Sequence, residues 1–117
     1  MKVVLIGGNP KGFDTPFHPS TASGNRLRKI ITDIGLDCEI ADMTRNRDDN
    51  PTIGELVELR ERYSGYDVVF LGRFVEKRLR ATFPRGMYLP HPASRRKDDH
   101  QRLIIGLKNI VKGRVIL

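Results

Sequence analysis

Cysteine is nearly absent: Cys38 is the only one among 117 residues. A single thiol excludes a disulfide framework and any four-cysteine zinc or iron–sulfur site, so an intracellular setting is expected. Long hydrophobic runs are missing too. The apolar stretch at residues 1–6 is too short for the core of a signal peptide or for a membrane span. No repeat, linker or low-complexity tract interrupts the chain, and its length suits one domain over 1–117 with a core of its own. Acidic residues are outnumbered, 14 against 21 Lys and Arg, for a net charge of +7. The excess is local: between residues 73 and 102 there are nine Lys or Arg and three acids, whereas the remainder of the chain carries +1. A basic patch confined to one segment is the electrostatic footprint of a polyanionic partner, most often nucleic acid, although a solvated surface can have the same composition.

What is present organises itself around Gly7-Gly8-Asn9-Pro10-Lys11-Gly12. The apolar, β-branched residues before it suit a strand buried on both faces, and the glycines let the backbone turn sharply or approach a ligand. Leu27, Ile30, Ile31 and Ile34 recur at helical spacing and predict a helix over 23–34 that stops at Gly35. A short strand is expected at 38–41. Thr52 and Glu55 form a capping box that opens a second helix, ending near residues 63–65. Residues 67–72 are the clearest strand. A basic helix follows at 73–82 with Val75 and Leu79 facing inward, then a strand at 87–89 and a last helix at 98–112. That helix buries Leu103, Ile104, Leu107, Ile110 and Val111, and Asp98 and Asp99 suit the positive end of its dipole. Residues 115–117 can add an edge strand. Strands alternating with helices predict an α/β fold, a three-layer α-β-α sandwich around a short, mostly parallel sheet of four or five strands.

Several short segments, taken in order, resemble the uracil-DNA glycosylase superfamily. Gly7-Gly8-Asn9-Pro10 looks like its first motif in the G-x-N-P form of the mismatch-specific and single-strand-selective branches. Thr15-Pro16-Phe17 followed by Gly24-Asn25-Arg26-Leu27 looks like the Pro-Phe segment and the helix start that come next. Ala41-Asp42-Met43-Thr44, then Asn46-Arg47-Asp48 with Pro51 and Thr52, resembles the stretch in which bacterial members carry a base-reading Asn and N-R-x-P-T. The strand at 67–72 resembles the one that ends in L-G, and Leu89-Pro90-His91-Pro92-Ala93-Ser94 resembles the second active-site motif.

The resemblance implies hydrolysis of the N-glycosidic bond of a pyrimidine in DNA, uracil or a modified, cytosine-like base, with no cofactor and no metal. The target base must be flipped out of a duplex or taken from a single strand. Cleavage leaves an anionic base, so catalysis is mostly stabilisation of developing charge. By analogy Asn9 and His91 are the catalytic pair: Asn9 holds the attacking water and His91 donates to the base. Pro90 and Pro92 stiffen the loop that carries His91. His18, in a second His-Pro pair, is a rival for that role. Gly8, Phe17 and Asp42 are expected to contact the base, with Phe17 stacking on it for roughly 1–3 kcal/mol. Lys11, Ser94, Arg95, Arg96 and Lys97 are expected to meet DNA phosphates, which give affinity and register but no sequence readout. Lys77, Arg78 and Arg80 can extend that basic face. DNA, single-stranded or damaged duplex, is the expected partner of a cytoplasmic monomer (nucleoid-associated if bacterial or phage) that makes no membrane contact.

Three departures from the family's pattern stand out. Lys11-Gly12 replaces the usual Gly after Asn-Pro. No carboxylate occupies the water-activating position used by some branches. Asp42 stands where Asn is common, and an ionised Asp only accepts hydrogen bonds, which would repel O4 of uracil and welcome the amine of cytosine. The alternative on the same resemblance is a catalytically inactive DNA-binding module. A nucleotide- or sugar-phosphate-handling enzyme that uses the glycine loop as an anion cradle ranks last, because neither the P-loop Lys-Ser/Thr nor a G-x-G-x-x-G fingerprint is present.

Overall fold

Four short segments form strands, and a helix follows each of them. A computed structural model of the chain describes residues 2–10, 12–13 and 15–115. The elements run β1 (Val3–Gly7), α1 (Ala22–Ile34), β2 (Glu39–Asp42), α2 (Ile53–Arg62), β3 (Asp67–Leu71), α3 (Arg73–Leu79), β4 (Met87–Leu89) and α4 (Lys97–Val115). Val115 therefore ends a helix rather than starting the expected edge strand, and Ile116 and Leu117 lie outside the described residues.

All pairings are parallel and the strand order is β2-β1-β3-β4. Side chains alternate across the two central strands. Val3, Leu5, Val69 and Leu71 pack on one face with Leu27 and Ile30 of α1 and Leu103 and Leu107 of α4. Val4, Ile6, Val68 and Phe70 pack on the other with Leu59 of α2 and Val75 and Leu79 of α3. The distribution follows from right-handed crossovers: the chain steps from β1 to β2 in one direction and from β2 past β1 to β3 in the other, so α1 and α2 fall on opposite faces. Helices on both faces of an all-parallel sheet of four strands are compatible with the expected three layers. No described helix is long and apolar enough to cross a membrane.

Local chemistry sets the helix ends. Thr21 caps α1 by accepting from Gly24 N–H, and Gly35 closes it in the left-handed conformation at φ 69°. At α2 the expected capping box is complete: Thr52 accepts from Glu55 N–H, and Glu55 accepts from Thr52 N–H. Glu55 also accepts from the Thr44 hydroxyl and the Arg45 N–H, tying the β2–α2 loop to the helix it precedes. Burial works against ionisation of Glu55, but these donors outweigh it and hold the carboxyl below its ordinary range. At the far end of α3, Arg80 reaches Glu76 Oε2 at 2.6 Å, donates to the Pro84 and Gly86 carbonyls and lies over the Phe70 ring. This guanidinium ties the α3–β4 turn to the core while its side chain stays 42% exposed.

Candidate active site

The strand order places the site. β1 leads to β2 on one flank and β3 leads to β4 on the other, so the connections diverge above the carboxyl ends of β1 and β3, where open α/β sheets bind ligands. A cavity of about 300 Å³ opens there. Its walls come from the β1 turn (Gly8, Asn9, Pro10), the segment before α1 (Phe17, His18, Thr21), the start of α3 (Gly72, Arg73, Phe74) and the loop after β4 (His91), with Asp49 from the β2–α2 loop.

Each side chain is held by an identifiable contact. Phe17 lies across the end of β1, and a Cβ on Gly7 would come 2.3 Å from its ring, so only glycine admits it. Phe17 has φ 48°, and Arg28 of α1 secures that backbone by donating to the carbonyls of Phe17 at 2.8 Å and Pro16 at 2.7 Å. Its ring is 5.7 Å from that of His91. The His91 loop is drawn against α1 by Arg26, which donates to the Pro92 carbonyl.

Both imidazoles have one nitrogen assigned by a backbone donor. His91 Nδ1 accepts from Ala93 N–H at 2.9 Å, and His18 Nδ1 accepts from Ser20 N–H at 3.1 Å and meets Ser20 Oγ at 2.7 Å. A backbone amide only donates, so in this arrangement Nδ1 carries no proton and Nε2 is the N–H donor on each ring. His18 also stacks on Phe13 with centroids 4.3 Å apart. The two histidines that compete in the sequence thus share one cavity.

Asn9 donates from Nδ2 to Asp49 Oδ1 at 2.6 Å. Because a carboxylate only accepts, this bond decides which end of the Asn9 amide faces the loop and turns its carbonyl oxygen the other way. Asp49 itself has φ 58°, a conformation that Asp and Asn tolerate better than most residues. The loop around it is pinned on two sides: Asn46 donates to the Asn50 carbonyl, and Arg78 of α3 donates to Asn50 Oδ1. Arg78 also lies 3.5 Å over the half-exposed ring of Phe74 at the cavity wall.

When compared with protein-family models, curated proteins and solved structures, the chain matches none.

The arrangement brings together Gly8, Asn9, Phe17 and His91 and separates others. Lys11 lies outside the described residues. Ser94, Arg95, Arg96 and Lys97 line a neighbouring cavity with Arg26 and His100, and Ser23 borders both cavities. The Ser94 hydroxyl donates to Asp99 Oδ2 at 2.7 Å, so it serves the start of α4 rather than standing open to a phosphate. Asp42 is not at the Asn9 cavity at all. It lines a separate cleft with Glu39, Arg45, Glu55, Glu58 and Arg62, beside the outer strand β2. Asp42, expected to contact the base, is thus set apart from Asn9, Phe17 and His91, because β2 pairs only with β1, on the flank away from β3. A carboxylate does lie beside Asn9: Asp49, from the polar loop that precedes α2, accepts from its amide and lines the same cavity. Nothing in Asp48-Asp49 distinguishes the two in sequence. In the fold Asp48 accepts from Asn50 N–H and only Asp49 reaches Asn9. Among the described residues no group of three His, Cys, Asp or Glu side chains is placed to hold a metal ion.

Burial pushes the Asp42 carboxyl up from 3.8 to about 6, partly offset by Arg45. The folded form therefore holds this proton more tightly than the unfolded chain does, and stability falls as pH rises from about 4 to about 6. Asp42→Asn is expected to raise stability at neutral pH by about 1–2 kcal/mol, allowing for the solvent that still reaches the group, and to lose that advantage below the unfolded value. Urea midpoints of both proteins at neutral and acidic pH measure it; an equal difference at both would show that burial of the charge is not the cause.

Proposed function

We propose that this chain is a monofunctional DNA glycosylase that hydrolyses the N-glycosidic bond of a pyrimidine extruded from DNA. One observation carries the reading: Asn9 and Phe17 border one cavity, at the ligand-binding edge of the sheet, with His91, which lies 82 positions beyond Asn9 in the chain. At about 300 Å³ that cavity is at the small end of ligand sites, suited to one flat ring and not to a dinucleotide.

The roles follow from the donors and acceptors present. His91 Nε2–H meets a carbonyl oxygen of the base and stabilises the negative charge that grows there as the bond breaks. Asn9, its amide direction set by Asp49, holds water with its carbonyl oxygen against the sugar. Phe17 lies against the face of the base, and Phe74 with Arg78 over it adds an aromatic and cationic wall at the entrance. Arg95, Arg96 and Lys97, all exposed, sit by the adjoining cavity where the phosphates flanking an extruded nucleotide would lie. With Asp42 elsewhere, the cavity has no feature that selects cytosine over uracil through that residue.

The test is direct. Single-stranded oligonucleotides with one uracil, and parallel ones with cytosine or a modified cytosine, are incubated with the protein and treated with alkali. Scission at the uracil position, abolished in Asn9→Ala, is the expected result. Retained DNA binding with no scission on any substrate would make the chain a binding module instead.

A further inference from the structure

Among the described residues Asp49 is the one acidic side chain lining the Asn9 cavity, and three features define its position. Its Oδ1 accepts from Asn9 at 2.6 Å. A Cβ on Gly8 would come 2.7 Å from the same oxygen, so a side chain there would displace the carboxylate from this position. The backbone of Asp49 is left-handed and is held there by its own N–H, which donates to the Asn46 carbonyl at 3.1 Å.

We propose that Asp49 is a catalytic residue, the base that accepts the proton of the attacking water; this rests on the glycosylase reading. A carboxylate has about four acceptor positions and Asn9 occupies one, which leaves capacity for water beside the Asn9 amide. The step balances without a further reactant. The water oxygen forms a bond to C1′ of the deoxyribose as the C1′–N bond breaks, and that bond's electron pair leaves with the base. One water proton passes to Asp49. The departing base is protonated by solvent, and Asp49 returns its proton to solvent. An amide cannot take that proton, so Asn9 alone orients water without activating it. The geometry thus provides from the β2–α2 loop the carboxylate that the first motif lacks.

Single-turnover excision of uracil from a single-stranded oligonucleotide is measured for the wild type, Asp49→Asn and Asp49→Gly, each checked for an unchanged melting transition. Asn and Gly both accept a positive φ, so these variants remove the carboxylate without opposing the backbone. A loss of about 100-fold in both, with oligonucleotide affinity retained and with the Asp49→Gly rate recovering on addition of formate, is expected. Wild-type excision with Asp49→Asn within threefold would overturn the assignment and leave the glycosylase reading intact. So would a loss in both variants that formate does not recover, since Asp49 would then only hold Asn9. No excision by the wild type on any base would remove the glycosylase reading and this inference together.

Discussion

His91→Ala is expected to slow single-turnover base excision by about 10²–10³-fold while oligonucleotide affinity changes little. The size of the loss follows from where the charge appears. In the proposed reaction the imidazole meets an oxygen that gains negative charge only as the glycosidic bond breaks, so its removal would cost transition-state stabilisation far more than ground-state binding. Because Nδ1 accepts from Ala93 N–H, the ring has its proton on Nε2, the tautomer that the proposed role requires. His18 lies in the same cavity with its Nδ1 assigned in the same way, which makes a discriminating control. If the His91 loop carries the chemistry, His18→Ala retains most of the rate. If His18→Ala produces the larger loss, the donor role belongs to the segment before α1. Both rates come from the oligonucleotide and alkali treatment already described, under enzyme excess.

Gly24→Ala is expected to destabilise the fold by about 2 kcal/mol, against what helix propensity alone predicts. Gly24 lies inside α1, where Ala in place of Gly ordinarily gains about 1 kcal/mol. Here the added Cβ would fall 2.1 Å from the His18 carbonyl oxygen and 2.5 Å from that of Phe17. Both are backbone atoms, and Arg28 and the cap at Thr21 hold that segment in place, so the clash cannot be relieved by rotating a side chain. Overpacking of this kind costs about 1–3 kcal/mol and sometimes more, which exceeds the propensity gain. The segment that must give way carries Phe17 and His18, so excision should fall along with the urea midpoint. A higher midpoint with full activity would mean that the approach of these carbonyls to α1 is looser than the structure has it. Gly113→Ala, near the other end of the chain's helical content and with nothing within 4 Å of the added Cβ, is the matching control.

The secondary elements were largely legible because their signals are local. The capping box at Thr52 and Glu55, the glycine stop after Ile34 and the apolar run before Gly72 each depend on residues a few positions apart, and each stands where it is expected. Boundaries moved where the deciding contact is distant. β2 runs to Asp42 because it pairs with β1 as far as Gly7. Helix α3 ends at Leu79, short of 82, where the Thr82 and Phe83 N–H groups both donate to the Leu79 carbonyl. The site was legible only in part. Gly8, Asn9, Phe17 and His91 meet, while Arg78 turns to Asn50 and Phe74, and Asp42 opens on another cleft.

The sequence by itself determined the alternation of strands and helices, the parallel sheet and the two loops that carry Asn9 and His91, since periodicity and turn chemistry act between near neighbours. Tertiary structure alone decided which acid faces Asn9. Asp42 and Asp49 are seven positions apart and chemically identical, but one ends an outer strand and the other sits in a loop folded back over the β1–β3 crevice. Strand order, together with one left-handed residue, separates them, and neither is written in the residues around a carboxylate.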